Sequence, residues 1–478
     1  MRGACWVMVA LIGVGCDGGG EPDAGARLDA SVEADAGLAI ECEVPAPVVA
    51  GTAETDALAD APARCGQPAH AWLRSDTLGA VVDAGEPERM SRLVLDGIIA
   101  GAGLTAPRPA GADVTLRVVR YLTQDRGAEV EATTLVAYPD VEERGQTLDV
   151  VVFLHGTSGF TAGCGSSEDT AYRALVALFA SYGYLAIAPD YLGLEAGEAS
   201  YGELHPYLSG QATAIASLDA VRAAARLPVE ARGWTCAAPR FVTVGGSQGG
   251  HAALWVERLQ PYYARELELV GTVATVPPAD LMGQIQRGLT EVVSATGNTI
   301  AFYGTAPFWY GVGDRLDEVF VSPFDVDVPA ALRAECSPSE IPDVTRLDEV
   351  FTAELLDAAA GDAFGALDPW GCIVRENGLT TTSVPRLGPD ASSYGVLMVT
   401  GEADALVHTP IERAAFETLC EAGVPLRYLE CEGADHGEGT LWALPEIVSF
   451  AEARLAGEAF EPPADCAPPP PSRCEGTP

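Results

Sequence analysis

The 478-residue sequence contains no lysine, so arginine supplies all of its 28 basic side chains. Acidic side chains number 68, and the formal net charge is -40 at pH 7. The absence of lysine excludes Schiff-base chemistry on a lysine amine. Nucleic-acid binding is not expected, because phosphates need clustered cations. The acidic field should disfavour strongly anionic substrates and leave neutral ones unaffected.

The apolar run at the start of the chain is too short to span a bilayer. Residues 1–16 combine one arginine, this apolar run and small residues before Cys16, which predicts an export signal. The ending at residues 13–16 resembles a bacterial lipoprotein signal, which would leave Cys16 acylated and membrane-anchored. An ordinary secretory signal with a chance cysteine is the alternative. The protein is therefore expected at the periplasmic or outer cell surface, or secreted.

Ten cysteines follow Cys16, and an even number in an exported chain is consistent with disulfides. None lies in a nucleophile motif or a Cys-x-x-Cys pair, so a structural role is the default. The spacing allows two short loops, one closed by Cys466 with Cys474 and one by Cys42 with Cys65.

Composition and periodicity divide the chain into six segments. In chain order they are a signal (1–16), an acidic flexible linker (17–68), the first part of a core (69–280), a cap (281–390), the second part of the core (391–460) and a Pro-rich tail (461–478). In the core, short β-branched runs alternate with helical patterns, which is typical of a parallel sheet covered on both faces. The segment 281–390 is largely helical and too long for a plain crossover, so it is predicted to be a cap over the carboxyl edge of the sheet.

The core pattern begins with an antiparallel hairpin and continues as strands separated by helices. The predicted strands are 114–121, 130–137, 150–154, 185–189, 241–244, 270–276, 396–400 and 426–429. Two helices are predicted with definite bounds, one from about 211 to 226 and one from the end of strand 241–244 to Pro261.

The sequence GGSQG at residues 245–249 fits the G-x-S-x-G nucleophile elbow. Glycines in this motif permit a sharp turn from strand to helix that exposes the serine hydroxyl. An apolar strand precedes the motif and an amphipathic helix follows it. Ser247 is therefore the candidate nucleophile, and a glycine-rich packing turn is the weaker interpretation.

A serine becomes a good nucleophile when an imidazole accepts its proton, and the chain has six histidines. His436 follows the last predicted strand, which is where the order serine, acid, histidine places the base. His408 is the main competitor, but it precedes a capping-box sequence at 409–412 with Pro410 at the first helical position, which indicates a helix start. Three other histidines are less suitable: His155 belongs to the strand of the expected oxyanion loop, His251 lies one helical turn beyond the serine, and His70 lies too early in the chain.

The imidazole needs an acid that fixes its tautomer and stabilises its charge. Asp404 fits this role, since a three-residue turn separates it from strand 396–400. Glu402 and Asp280 are the alternatives, and Asp435 is interpreted as a surface neighbour.

The oxyanion of a tetrahedral intermediate needs hydrogen-bond donors that are already in place. The backbone N–H of Gln248 is the first candidate, and the loop at 155–157 should supply the second. Thr157 is the preferred residue of this loop, with Gly156 as the alternative.

In the predicted cap, four aromatic residues could line an acyl pocket or form a lid: Phe302, Phe308, Trp309 and Tyr310. They could equally form the core of the cap itself. No metal site is expected, because the histidines are scattered and the segment 435–438 lacks the spacing of a ligand pair on one helix face.

Four motifs together resemble the secretory lipase family, especially its bacterial branch: DYLGL at 190–194, HPYL at 205–208, GSQGG at 246–250 and GADH at 433–436. The resemblance extends over about 114–455, apart from the cap. It implies an α/β-hydrolase fold, with a mostly parallel central sheet flanked by helices and a largely helical cap insertion. It also implies lipase or esterase activity on neutral esters without a cofactor, with Ser247, Asp404 and His436 in the triad positions.

Other functions remain open, because one fold and one triad serve several reactions. A peptidase should show an acidic grip for a substrate amine inside the cap, and an acyltransferase should favour an alcohol over water. A non-catalytic surface binding module would tolerate the loss of a triad residue, whereas all three are present here.

Overall fold

Ten strands form one mixed sheet within the residues that the computed structural model describes, which are 40–49, 65, 71–197, 201–337 and 344–478. The predicted signal, with Cys16, lies outside these residues. The strands are β1 Val81–Asp83, β2 Glu88–Met90, β3 Val114–Asp125, β4 Ala128–Pro139, β5 Thr147–Leu154, β6 Leu185–Pro189, β7 Cys236–Gly246, β8 Glu268–Thr275, β9 Val396–Gly401 and β10 Leu426–Cys431.

The sheet has the order β1-β3-β4-β6-β5-β7-β8-β9-β10, and β2 pairs with β3. All pairings from β6 through β5 to β10 are parallel, whereas β1 to β4 join by antiparallel pairings. The β3–β4 hairpin turns at Arg126 and Gly127, which both have positive φ (49° and 79°), as a tight two-residue hairpin requires. The central parallel strands are buried on both faces, which explains their continuous apolar sequences. The predicted mostly parallel sheet is confirmed.

Helices cover both faces of this sheet. Those of the core are α1 Arg92–Gly101, α2 Thr170–Ser181, α3 Gly210–Arg226, α4 Gln248–Tyr263, α10 Thr409–Glu421, α11 His436–Trp442 and α12 Leu444–Leu455. One apolar core holds α1, α2 and α12 against the sheet, and a second, larger core holds α3, α4 and α10. In the described ranges, no helix has the length and apolarity needed to cross a bilayer.

The cap lies between β8 and β9 and consists mainly of five helices in its described residues: α5 Leu281–Thr290, α6 Thr296–Trp309, α7 Phe324–Ala334, α8 Ala353–Ala359 and α9 Trp370–Asn377. Its apolar side chains belong to the larger core. The end of α9 is fixed to the core by Asn377, whose side-chain oxygen accepts the N–H of Gly210 at 2.9 Å. The cap is therefore packed on the core.

Five disulfides connect segments that are distant in sequence among the described residues: Cys42–Cys236, Cys65–Cys372, Cys164–Cys336, Cys420–Cys466 and Cys431–Cys474. The expected disulfides are confirmed, but neither of the two short loops that the spacing allows is formed. Cys466 is bonded instead to Cys420 of α10, and Cys474 to Cys431 of β10. The reason is that the Pro-rich tail runs beside the last strand, where Ser472 forms a parallel bridge with Cys431.

The described part of the predicted 17–68 linker is attached to the core. Cys42 is bonded to the first residue of β7, and Cys65 to helix α9 in the cap. Between them, Val49 is buried, and the N–H of Val48 donates to Glu266 at 2.8 Å. The prediction of a flexible linker is therefore corrected for residues 40–49 and 65.

Candidate active site

Ser247 lies at the sharp turn between β7 and α4. Its backbone has φ 57° and ψ −120°, a conformation that residues other than glycine rarely adopt. The neighbouring glycines are needed for steric reasons. A Cβ on Gly249 would lie 1.8 Å from the carbonyl oxygen of Leu154, and a Cβ on Gly245 would lie 2.1 Å from the carbonyl oxygen of Gly249. The Ser247 N–H donates to Thr275 O at 2.9 Å, which fixes the turn to β8.

The structure brings His436 and Asp404 to this serine. His436 Nε2 lies 2.9 Å from Ser247 Oγ, and His436 Nδ1 lies 2.7 Å from Asp404 Oδ2. A carboxylate only accepts, so Nδ1 carries the proton, and Nε2 is left to accept from the serine hydroxyl. The second Asp404 oxygen accepts the N–H groups of Leu406 and Val407 at 2.9 and 3.0 Å. The carboxylate is also buried, and these hydrogen bonds fix its orientation.

The alternative acids have other partners. Glu402 is exposed and accepts the N–H of Gly433 at 2.8 Å. Asp280 caps α5 by accepting the N–H of Gly283 at 3.1 Å. Asp435 caps α11 and forms a capping box with Glu438. These three carboxylates thus stabilise turns and helix ends around the site.

His408 is the N-cap residue of α10, so the predicted helix start is present, but the predicted capping box is not formed. Thr409 donates its hydroxyl to Gly401 O. Glu412 turns away from its own helix and accepts from the N–H of Ala279 at 3.0 Å and from Gln284 Nε2 at 2.9 Å. The reason is that Glu412 is fully buried against the start of the cap, where those donors would otherwise lack a partner.

Three further histidines are buried, and burial lowers the pKa of each: to about 4 for His155 and His251, and to about 3 for His205. They are neutral at pH 7. His251 Nε2 lies 2.7 Å from Asn377 O in the cap, and His155 stacks on Tyr191. His70 lies outside the described residues. His155, His205 and His251 thus serve as packing and hydrogen-bonding residues of the interior.

The residues proposed for the oxyanion hole are Gln248, Thr157 and Gly156. Gln248 opens α4, a 16-residue helix whose N-terminus carries a partial positive charge. Its side-chain Nε2 donates to His205 Nε2 at 2.6 Å, while His205 Nδ1 donates to Leu192 O. Gly156 lies across from the serine, since a Cβ there would be 3.6 Å from Ser247 Cβ. Thr157 follows it and hydrogen-bonds Tyr207.

A pocket opens at Ser247 between the core and the cap. Its walls carry apolar or neutral polar side chains, and no carboxylate or arginine is present among these described residues: Tyr207, Leu208, Ser247, Gln248, Pro278, Leu281, Gln284, Ile285, Ala295, Asn298, Thr299, Leu406 and Val407. Sequence reasoning missed most of them. The motif HPYL at 205–208 was the one available signal, because it contains Tyr207 and Leu208.

The four aromatic residues expected in the pocket lie elsewhere, which corrects that expectation. Phe302 is fully buried, Trp309 Nε1 donates to Asp125 at 2.7 Å, and Tyr310 OH accepts from Asn377 at 2.8 Å. Phe308 packs beneath the guanidinium of Arg333. These residues form the core of the cap and its contacts with the sheet, which was the stated alternative.

Groups of His, Cys, Asp and Glu that could hold a metal ion are absent from the described part of the chain. Asp435 and Glu438 are engaged in the capping box, and His436 is bonded to Asp404 and Ser247.

Comparison with known proteins gives a family and a fold. Residues 168–461 match the family model of the secretory lipases. The rice cell wall degrading esterase LipA from Xanthomonas oryzae is similar in structure, with a TM-score of 0.62, 18% identity, and coverage of 79% of this chain and 97% of that one.

Two further structures have the same fold. Candida antarctica lipase A in its closed state gives a TM-score of 0.60 at 14% identity, covering 84% of this chain and 89% of that one. A putative hydrolase from Legionella pneumophila gives 0.63 at 18% identity, covering 80% and 100%. No curated protein matches the chain in sequence. At these identities the structures show the shared fold.

Proposed function

The chain belongs to the secretory lipase family, and from this premise we propose that it is a serine carboxylic-ester hydrolase acting through an acyl-enzyme. The observation that carries the proposal is the continuous hydrogen-bonded series from Ser247 Oγ through His436 to Asp404, with distances of 2.9 and 2.7 Å. Nucleophile, base and orienting acid are thereby within reach of one another, as this chemistry requires.

In the acylation step, Ser247 Oγ attacks the ester carbonyl carbon while His436 Nε2 takes the hydroxyl proton. The carbonyl π electrons move to the oxygen, which becomes an oxyanion. When the intermediate collapses, the bond to the alcohol oxygen breaks and His436 returns its proton to that oxygen. Water then repeats the attack on the acyl-enzyme with His436 as base, which releases the acid and restores Ser247.

Backbone donors support the oxyanion in both halves of this cycle. We assign the N–H of Gln248, at the positive end of α4, and the N–H of Thr157 as the two donors, with Gly156 as the alternative to Thr157. Removal of a single donor of this kind lowers turnover by about 10²–10³-fold in other serine hydrolases. A Cβ on Gly156 would lie 3.6 Å from Ser247 Cβ, an ordinary contact distance, so this loop lies beside the serine.

The substrate is proposed to be a neutral ester with an apolar acyl group. Leu208, Leu281, Ile285 and Val407 offer apolar surface beside the serine. A charged group bound between them would lose hydration without an ion partner from the pocket walls. The net charge of -40 also repels anions before they reach the pocket.

The composition of the pocket walls also bears on the alternative functions, which are peptidase, acyltransferase and non-catalytic binding module. A peptidase that holds a substrate amine needs an acidic grip in the cap, and the walls formed by the described residues contain no carboxylate. An acyltransferase would share the acyl-enzyme and differ in the acceptor. A non-catalytic binding module would not need Asp404 buried with three hydrogen bonds to the loop and His436.

The first test is Ser247→Ala, assayed on a short p-nitrophenyl ester with the natural-sequence protein alongside. We expect a loss of about 10⁶-fold in kcat with an unchanged unfolding temperature, because the hydroxyl forms the acyl bond. Ser217→Ala is a matched control, since that serine is buried in α3 and donates to Thr213 O. Hydrolysis by folded Ser247→Ala at the natural rate would refute the proposal.

The family and the five disulfides of the described residues indicate an exported protein. We propose in addition that the chain is cut before Cys16 and anchored by acyl chains on that residue. Mass spectrometry of the protein made in its bacterial host should find an acylated Cys16 at the mature N-terminus, and Cys16→Ala should leave the membrane fraction. An unmodified Cys16 would favour the ordinary secretory signal.

A further inference from the structure

Three polar side chains form a short hydrogen-bonded series beside Ser247. Asn298 Nδ2 lies 3.0 Å from the hydroxyl oxygen of Tyr207, and that oxygen lies 2.8 Å from Thr157 Oγ1. Asn298 belongs to cap helix α6, Tyr207 precedes helix α3, and Thr157 follows β5. Tyr207 and Asn298 both line the pocket that contains Ser247.

The direction of the first hydrogen bond is fixed, and between the two hydroxyls either oxygen could be the donor. The Asn298 amide nitrogen can only donate, so the Tyr207 oxygen accepts from it. The one hydrogen of the Tyr207 hydroxyl is then available for Thr157 Oγ1. Burial raises the pKa of Tyr207, so this hydrogen is retained. When Tyr207 donates this hydrogen, Thr157 Oγ1 accepts it, and the hydrogen of Thr157 points away from Tyr207.

We propose that the Thr157 hydroxyl is a third donor to the oxyanion, and that Tyr207 and Asn298 are positioning residues that hold it in the donating orientation. The proposal rests on the ester-hydrolase function proposed above. The placement supports it, because a Cβ on Gly156, the residue before Thr157, would be 3.6 Å from Ser247 Cβ. A preoriented hydroxyl lowers the barrier, since it needs no reorganisation as charge develops on the oxygen.

The series also gives the cap a part in the chemistry. Asn298 is the end of the series that does not belong to the core, so the direction of both hydroxyls depends on α6 being in place. A cap displaced from the core would remove the donor to Tyr207. Thr157 would then lose the contact that holds its hydrogen towards the substrate.

The test is a double-mutant cycle on kcat for a short p-nitrophenyl ester. Thr157→Val removes the hydroxyl and keeps the backbone N–H, and we expect kcat to fall roughly 10²-fold with little change in KM. Tyr207→Phe keeps Thr157 but removes its orienting donor, with an expected fall of roughly 10-fold. In the Thr157→Val background, Tyr207→Phe should have no further effect on kcat.

Asn298→Asp offers an independent variant, because a carboxylate accepts where the amide donates and so reverses the series. Its charge also acts on the site directly, so the informative quantity is the part of its effect that disappears in Thr157→Val. We expect that part to be at least several-fold. A trifluoromethyl ketone inhibitor, which forms a tetrahedral adduct with an oxyanion, should weaken in parallel with kcat across these variants.

Tyr303→Phe is the matched control for loss of a phenol hydroxyl. Tyr303 is fully buried in the cap, and its hydroxyl has no hydrogen-bond partner among the described residues. It should keep the natural kcat. Equal effects of Tyr207→Phe and Asn298→Asp with and without the Thr157 hydroxyl would overturn the inference. Failure of the ester-hydrolase proposal is distinguishable, since the natural protein would then lack Ser247-dependent hydrolysis altogether.

Discussion

Asp404 and His436 are joined by a 2.7 Å hydrogen bond from Nδ1 to Oδ2, and the carboxylate is held by two backbone N–H groups at its other oxygen. The acid is thus oriented by its own loop before it meets the imidazole. Asp404 is 3% exposed, so solvent does not weaken this contact. The arrangement fixes the tautomer in which His436 Nε2 can accept the serine proton.

Asp404→Asn should therefore lower kcat by about 10⁴-fold, because an amide nitrogen facing Nδ1 favours the wrong tautomer. KM and the unfolding temperature should change much less. The measurement is steady-state kinetics on a p-nitrophenyl ester, with circular dichroism to confirm folding.

Glu402→Gln is the matched control for the loss of a carboxylate from the same turn. Glutamine can still accept the N–H of Gly433, so kcat should remain at the natural level. A large loss of activity in Glu402→Gln together with an active Asp404→Asn would show that the wrong acid has been assigned.

Acyl-chain preference should respond to the pocket wall and not to the cap aromatics. Ile285→Trp adds volume beside Ser247 and should move the optimum of a p-nitrophenyl ester series towards shorter acyl chains. Phe302→Leu should reduce the stability by about 1 kcal/mol and leave the chain-length profile unchanged, because Phe302 is fully buried in the cap. A changed profile in Phe302→Leu with none in Ile285→Trp would contradict the assigned wall.

Features encoded locally were predictable from the sequence. The apolar run at 185–189 and the glycines of the elbow each indicate their conformation within a few residues, and both conformations are present in the structure. Strand β7 was predicted too short, since it begins at Cys236 and its first residues, Cys-Ala-Ala-Pro, lack a strand pattern. Helix α3 was found to within one residue, because its apolar face repeats at the helical period.

Features that depend on tertiary contacts were not predictable. Cys65 and Cys372 are 307 residues apart, and no spacing rule relates them. On α6, Phe302 and Tyr303 are both fully buried, although neighbouring residues of an amphipathic helix usually differ. The helix is buried on most sides, so the sequence pattern could not distinguish a pocket wall from the core of the cap.

The disulfide pairing at the end of the chain can be tested directly by tryptic digestion without reduction. Because lysine is absent, trypsin cuts after arginine only, and Arg413, Arg427, Arg454 and Arg473 place the last four cysteines on separate peptides. Mass spectrometry should find peptide 414–427 linked to 455–473, and 428–454 linked to 474–478. A link between 455–473 and 474–478 would instead restore the short terminal loop predicted from spacing.

Release of the tail should reduce stability without affecting the chemistry. The Cys431–Cys474 bond closes a loop with a sequence separation of 43 residues. By the chain-entropy relation, its removal in Cys431→Ser/Cys474→Ser should reduce the free energy of unfolding by about 4 kcal/mol. The kcat should be retained, because neither cysteine is among the residues that line the pocket. An unchanged denaturant midpoint would argue against this bond.

Two buried carboxyl groups should lower the stability of the fold as the pH rises to about 8, most clearly above about pH 6.5, where the three buried histidines have lost their opposite effect. Burial raises the pKa of Glu412 to about 8 and that of Glu195 to about 7. In the unfolded chain both groups ionise near pH 4.3. Between these values the folded state binds more protons than the unfolded state, so the free energy of unfolding falls as the pH rises through the folded pKa.

Glu412→Gln should remove part of this slope. The amide loses hydrogen bonds to Ala279 or Gln284, so the variant is less stable at pH 5, but its difference in stability from the natural protein should shrink from pH 5 to pH 9. Urea unfolding at several pH values measures the slope. Glu195→Gln should flatten the lower part of the same window, and the double variant should be flatter than either. A slope unchanged in all three variants would show that these carboxyl groups ionise normally in the folded protein.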